Sequence, residues 1–424
     1  MIAIDKVKNE LAAGGSTHQN AENERPDPVV AVVGLVAWAA LFVLLAVVSW
    51  WMVAFVVGVL VSVLLHEAGH YWTARRSGMK VTQFFIGFGP RIWSFHRNDI
   101  EYGLRAIPLG AFVRIIGMNN LDEIPAEDER FTYRAATYPR RMWVITAGSV
   151  MHMIIAVVLI TVVYATWGPY KEQGFVRVTG VVQPGGDLSS PPAYAAGILP
   201  GDVVVAIAGA PIATRDDLIS QITSQPIGST FDVELQRDGN PVVVAVTSIA
   251  HPQPADPDRP MSYLGIGSTS VDRIRQSFGA ASWQGLQDLG TGVGQAVSGI
   301  VKVINPVNVF GHLTGSNTDE SSRPGTLVGA TKISDDFGKA DGWAGQLTLL
   351  ALVNLSVGVF NMFPLLPLDG GHAAIATYER VRSRRGKRYY ADVAKLMPVV
   401  AVTVAALAFM FLVGLYLDFA PTPR

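Results

Sequence analysis

Two histidines four residues apart with a glutamate between them, His66-Glu67-Ala68-Gly69-His70, are residue types that hold a metal ion and work a water against it. Four residues is a little over one helical turn. On a helix both imidazoles therefore share a face and grip one ion, and Glu67 is placed to act as general base. Short patterns arise by chance, but the setting argues against chance here. The motif follows Val61-Ser62-Val63-Leu64-Leu65 in a long apolar run, and ionisable side chains at membrane depth are expensive and mark function. The chain has no cysteine, which excludes disulfides, thiolate nucleophiles and Cys-ligated zinc.

A catalytic zinc ion takes three protein ligands and keeps one position open. The other polar cluster within apolar sequence is Asn361-Met362-Phe363-Pro364-Leu365-Leu366-Pro367-Leu368-Asp369-Gly370-Gly371-His372. Its two prolines prevent a regular helix and its two glycines let backbone approach closely, so it is able to leave the helical path and present Asp369. Asp369 has a plainer use as the N-cap of a helix over Gly370–Arg382, and His372 and His152 are rival ligands.

These residues must be carried by membrane helices. Half the residues are hydrophobic and 16% are charged, against about 25% charged in soluble domains. That balance excludes an ordinary cytosolic protein and a disordered chain. With 33 Lys+Arg against 34 Asp+Glu, nothing points to nucleic acid. The run from Val29 is too long for one crossing of about 20 residues. It reads as two spans, Val29–Ser49 and Met52–Thr73, hinged near Ser49-Trp50-Trp51. Met142–Trp167, Gly345–Phe363 and Leu396–Leu417 are three more. Residues 1–28 read as a disordered polar tail rather than a cleavable signal. Eleven basic residues fall between Arg75 and Arg141 and seven between Arg380 and Lys395, whereas the eleven between 168 and 345 are spread thinly. Cytoplasmic loops carry the dense positive charge, which places the N-terminus and the metal-helix loop inside and 168–345 outside.

That outer segment changes character over 174–250. Apolar runs at Phe175–Val182, Val203–Ile207, Phe231–Gln236 and Val242–Thr247 predict strands. Thr214–Gln225 predicts an amphipathic helix, and Asp238-Gly239-Asn240 a hairpin turn. The stretch Ala193-Tyr194-Ala195-Ala196-Gly197-Ile198-Leu199-Pro200-Gly201-Asp202-Val203-Val204 resembles the PDZ signature, which implies an α+β domain that binds an extended peptide at a sheet edge. His251–Pro260 reads as a linker. The region 251–343 is otherwise a linker and membrane-surface segment, with only a weak helical period over Ile274–Ile304.

Taken together, the two polar motifs resemble the site-2 protease family of intramembrane zinc metalloproteases. In that family H-E-x-x-H on one transmembrane helix pairs with N-x-x-P-x-P-x-L-D-G on another, met here by Asn361, Pro364, Pro367, Leu368, Asp369 and Gly370. Ala74–Val81, Phe85–Pro90 and Tyr102–Gly110 are similar to the family's segments after the metal helix, and Pro324–Ala330 more weakly to one before the fourth span. The resemblance covers about 60–415. One departure is Gly148-Ser149-Val150-Met151-His152, where many members have a glycine-proline pair and a nearby asparagine. The extra span and the tail are additions to the four-span core.

The resemblance implies a multi-span α-helical membrane protein with a catalytic core in two halves, 52–167 and 344–418, an extra segment 29–51, a membrane-associated β-hairpin and an extracytoplasmic PDZ-like domain. It implies zinc held by His66, His70 and Asp369, Glu67 as general base and Asn361 on the substrate backbone or oxyanion. The nearest subgroup, bacterial and PDZ-containing, implies as substrates single-span proteins of the plasma membrane, such as anti-sigma factors and signal-peptide remnants, cut after earlier trimming. The segment Phe84–Arg105 is expected to form a hairpin that dips toward the site and clamps the substrate as an added strand. A silent membrane adaptor and a metal transporter are the competing classes. Glu67, which neither needs, speaks against both. Oligomeric state has no signature in the sequence.

Overall fold

A computed structural model of the chain describes residues 28–118, 124–185, 188, 190–252, 259–383 and 388–419. The expected tail, up to residue 27, and the middle of the expected 251–260 linker lie outside these residues. The elements run α1 (Pro28–Val48), α2 (Trp50–Arg76), β1 (Val81–Arg97), β2 (Ile100–Ile115), α3 (Tyr138–Thr166), β3 (Tyr170–Val181), α4 (Pro192–Ala195), β4 (Val203–Ile207), β5 (Ala210–Pro211) and α5 (Arg215–Ser224). There follow β6 (Thr230–Arg237), β7 (Asn240–Thr247), β8 (Ile249–Ala250), β9 (Ser262–Tyr263), β10 (Ile266–Arg273), α6 (Phe278–Ile304), α7 (Pro306–Thr314), α8 (Leu327–Asn361), α9 (Asp369–Arg382) and α10 (Met397–Phe419). The chain forms two compact units, Met1–Val163 with Phe278–Arg424, and Tyr164–Ser277.

Among the described residues of the first unit, α1, α2, α3, α8 and α10 are long and apolar enough to cross a membrane. Their outward faces are apolar: Val29 is 69% and Val47 80% exposed. Water does not tolerate so wide an apolar face and lipid does. The long N-terminal run is broken at Ser49, whose extended backbone ends α1 and whose hydroxyl accepts the Trp51 N–H, capping α2. Inside the bundle Phe55 of α2 packs on Leu349 and Leu350 of α8. Ala156 of α3 packs on Leu355 and Val359 of α8, and Leu289, Val293, Ala296 and Ile300 of α6 cover them. That spacing lays one apolar stripe along α6. Helix α8 kinks at Gly342, which has φ 57° and ψ −139°.

β1 and β2 are longer than the predicted hairpin and pair with each other twice. Residues 81–86 lie between 111–115 and 101–104, and 91–97 lie beyond 101–104. The two bent strands thus make a sheet with edges at 111–115 and 91–97. The bend in β1 falls at Gly87, with φ +83°, where a Cβ would meet the Ile107 carbonyl oxygen at 2.6 Å. The sheet is pinned by Arg105, stacked 4.6 Å from the Phe85 ring centre and 4.9 Å from that of Phe112. Buried Glu101 pairs with Arg91.

The second unit is a sheet in the order β10-β3-β4-β6-β7, with β5 on β4. Leu218 and Ile222 of α5 close its core against Val176, Val204, Ile207, Val233 and Leu235. Thr214 and Asp217 form a capping box at the start of α5. Asp238 and Gly239, at φ 50° and 82°, make the tight turn between β6 and β7. Asp202 is buried and receives Arg237 Nε and Nη2 at 2.7 Å each and the Leu199 N–H at 2.9 Å. The Arg237 hydrogen bond holds its carboxyl below the ordinary carboxylate range.

Candidate metal centre

Helix α2 carries His66, Glu67 and His70 on the face turned into the bundle, where both histidines are buried. Their Nε2 atoms stand 3.1 Å apart, and Asp369 Oδ2 lies 3.4 Å from the first and 3.3 Å from the second. Bonds of 2.0–2.2 Å in a tetrahedron separate ligand atoms by about 3.3–3.5 Å. The three donors therefore already stand at the mutual spacing of ligands around one zinc ion. Among the described residues no other group of His, Cys, Asp and Glu meets this test. Asp369 Oδ2 is buried without a hydrogen-bond partner, which an apolar site tolerates only when a cation compensates it. The Val144 carbonyl accepts a hydrogen bond from His70 Nδ1 at 2.8 Å. That bond leaves the Nε2 lone pair free to face the ion.

The backbone explains how a late carboxylate reaches an early helix. α8 ends at Asn361, residues 362–368 carry Pro364 and Pro367, and α9 begins at Asp369 itself. Leu368 occupies the cap position and no side chain caps the helix, so the Asp369 carboxylate is not spent as an N-cap. The chain folds back so tightly that a Cβ on Gly370 would strike the Met362 carbonyl. Helix α3 supplies the third wall. A Cβ on Gly148 would lie 2.5 Å from both His66 Nε2 and His70 Nε2, so only glycine lets α3 backbone pass there.

The rival ligands stand apart from this group. His152 has its ring centre 4.9 Å from that of His66. Its Nδ1 bonds Asn354 Oδ1 at 2.8 Å, and Asn354 Nδ2 donates to Ser62 Oγ at 3.0 Å. This relay ties α3 to α8 and α2. His372, one turn into α9, is half-buried and is not one of the three clustered donors. Asn361 is half-buried at the end of α8 and bonds none of the three donors among the described residues. Glu67 places Oε1 3.9 Å from His66 Nε2, while Oε2 accepts the Val113 N–H at 3.0 Å. Val113 belongs to the 111–115 sheet edge. Neither it nor Gly148 has a side-chain signature that points to the site. Asn354 and Ser62 do, as lone polar residues within apolar runs.

A membrane bundle that gathers two imidazoles and a carboxylate at zinc-ligand spacing, with a glutamate outside that trio beside them, defines a class. A model of peptidase family M50 matches residues 54–406. The chain belongs to that family, the site-2 proteases, and is a zinc metalloprotease. It is 34% identical over 390 residues to zinc metalloprotease Rip1 of Mycobacterium tuberculosis, which covers 85% of this chain and 95% of the relative. It is 33% identical over 389 residues to Rip1 of Mycolicibacterium smegmatis, covering 84% and 94%. A putative zinc metalloprotease of Mesorhizobium japonicum is 29% identical over 346 residues, covering 78% and 90%.

Proposed function

We propose that this zinc protease is an endopeptidase acting on single-span membrane proteins, and that it cuts within or beside their transmembrane segment. Anti-sigma factors and signal-peptide remnants are the expected substrates, reached after an earlier cut has trimmed their outer part. His66, His70 and Asp369 hold the zinc, and the observation that carries this is their 3.1–3.4 Å mutual spacing. Bound zinc supplies Lewis acidity toward the scissile carbonyl and lowers the pKa of a water to about 7. Glu67, beside those ligands, would accept a proton from the attacking water and give it to the leaving amide nitrogen. His70, held by the Val144 carbonyl, keeps one orientation through the cycle. Asn361 hydrogen-bonds the substrate backbone or the oxyanion.

A helical substrate keeps its carbonyls bonded internally and must be unwound to be cut. The 111–115 edge suits that work, because a strand added there lies beside Glu67, whose Oε2 accepts the Val113 N–H. Residues 174–250 act as a PDZ-like, extracytoplasmic screen that admits trimmed substrates, in an enzyme of the plasma membrane with the metal-helix loop inside. The domain division 1–28, 29–51, 52–167, 174–250, 251–343 and 344–418 belongs to the same reading, except that β10, at the start of 251–343, pairs with β3 in the second unit. Glu67→Gln is the decisive variant. It should keep zinc and lose cleavage of a single-span substrate in vesicles by several orders of magnitude. Full activity in that variant would end the proposal.

A further inference from the structure

Away from the metal centre, a cavity of about 500 Å³ opens between the first turn of α3 and the last turns of α9. Its floor is the ion pair of Arg141 Nη1 and Glu379 Oε2 at 2.6 Å, with both side chains buried. The other Glu379 oxygen accepts the Ala391 N–H at 2.7 Å. The floor is therefore charge-neutral, with Arg141 Nε left without a hydrogen-bond partner among the described residues. The rim is not neutral. Arg388 gives one N–H to the Ala135 carbonyl at 2.8 Å, and exposed Arg380 lines the same opening. Among the described residues neither guanidinium has a carboxylate partner. Tyr389 adds a hydroxyl to the lining, whereas the Tyr138 hydroxyl is spent on Thr377 Oγ1 at 3.3 Å.

Two cations without counter-ions and a phenol hydroxyl converge on a space much larger than one water. That is a receptor for a phosphate-bearing anion. Its depth selects the source. α3 enters its apolar stretch at this end, and Trp143, 61% exposed, stands one turn inside, where tryptophan marks the membrane interface. Basic pockets at the cytoplasmic ends of membrane helices take lipid head groups. We propose that this cavity binds the head group of an anionic phospholipid. Because α9 carries the cavity wall at one end and Asp369 at the other, a bound head group also steadies the helix that presents that carboxylate.

The test uses the full-length protein in detergent, stripped of lipid and titrated with short-chain phosphatidylglycerol or phosphatidylcholine under native mass spectrometry. Wild type should bind the anionic lipid in preference to the zwitterionic one. Arg380→Gln should weaken that binding about 5-fold, and the pair Arg380→Gln with Arg388→Gln about 30-fold, at roughly one unit of surface attraction per arginine. Unchanged zinc content in the variants verifies their fold. Inorganic phosphate at matched ionic strength should not displace the lipid. If phosphate displaces it, the site takes a soluble anion and the lipid assignment is wrong. Equal lipid affinity in the double variant overturns the site itself.

Discussion

Replacing Gly148 by alanine tests whether the metal site is set by backbone packing rather than by its ligands alone. The added Cβ would sit 2.5 Å from both Nε2 atoms and also against His66 Cε1. Carbon contacts are favourable near 3.5–4.0 Å, so the intrusion is roughly 1 Å or more. Its neighbours have little room to yield: His70 is fixed by the Val144 carbonyl at 2.8 Å, and both rings are buried. Overpacking of this kind costs about 1–3 kcal/mol. The protein avoids part of that by pushing α3 or the rings aside, which opens the 3.1–3.4 Å donor spacing. A displacement near 1 Å in a catalytic constellation lowers rate by about 100-fold. Gly148→Ala should therefore fold and insert, bind zinc more weakly in chelator competition, and cleave a single-span substrate about 100-fold more slowly. Wild-type zinc affinity together with wild-type cleavage would refute the packing argument.

The remaining expectations are smaller. His152→Ala should keep full zinc stoichiometry by metal analysis, whereas His66→Ala and His70→Ala should lose it; loss of zinc in the first would restore His152 as a ligand. Asp418 accepts the Thr326 N–H at 3.1 Å and the Gly329 N–H at 3.0 Å, joining the end of α10 to the start of α8. Asp418→Ala strands those donors and should cost about 1–3 kcal/mol, read as a lower melting temperature with zinc content unchanged; an unshifted melting temperature would contradict it. Asp202 has a folded pKa below its unfolded value of about 3.9. Its stabilising contribution is therefore present above that unfolded value and is lost as pH falls through the folded one. Hydrogen exchange in β4 and β6 should accelerate below about pH 4, and Arg237→Gln should weaken that pH dependence; an identical profile in both proteins would be evidence against the pair.

The parts of this architecture that follow helical period were open to a sequence reader. His66 and His70 sit at i and i+4, so a helix alone brings their Nε2 atoms together. Ser49 marks the break between α1 and α2, because a hydroxyl that caps a helix announces itself within two apolar runs. The Asp369 segment was legible from Pro364, Pro367 and Gly370, which forbid a continuous helix; that its carboxylate turns inward instead of capping α9 needed coordinates. What stayed hidden has no side-chain signature. The Val113 contact to Glu67 is a backbone donor, and any residue but proline supplies one. Gly148 reads as one of 42 glycines until α3 is seen to cross both imidazoles. β10 escaped because Gly267-Ser268-Thr269-Ser270 lacks apolar alternation, its pairing with β3 being specified by the partner strand. The hairpin expected over Phe84–Arg105 stops short of the end of β2, which runs on through Pro108 and Gly110 to Ile115. Pro108 and Gly110 are the bend after which the strand resumes and forms the edge beside Glu67.

The site's precision rests on how the helices are held apart as much as on the ligands. In lipid, apolar contact between helices is scarcely better than apolar contact with acyl chains, so hydrogen bonds and small residues set the crossings. Both devices surround this centre. Toward the start of α2, the Trp51 carbonyl accepts Ser334 Oγ and Gln346 Nε2, each at 3.1 Å, which closes the Gly342 kink of α8 onto α2. One level deeper, Ser62, Asn354 and His152 link α2, α8 and α3 in series. Beside the metal face, a Cβ on Gly69 would lie 2.9 Å from the Ala147 carbonyl oxygen, so α2 and α3 touch backbone to backbone. With no water at that depth to replace a lost partner, these ties leave each helix a single register against the next. The donors of α2 and the carboxylate of α9 are thereby brought to ligand spacing by the bundle itself, as a preorganised catalytic centre requires.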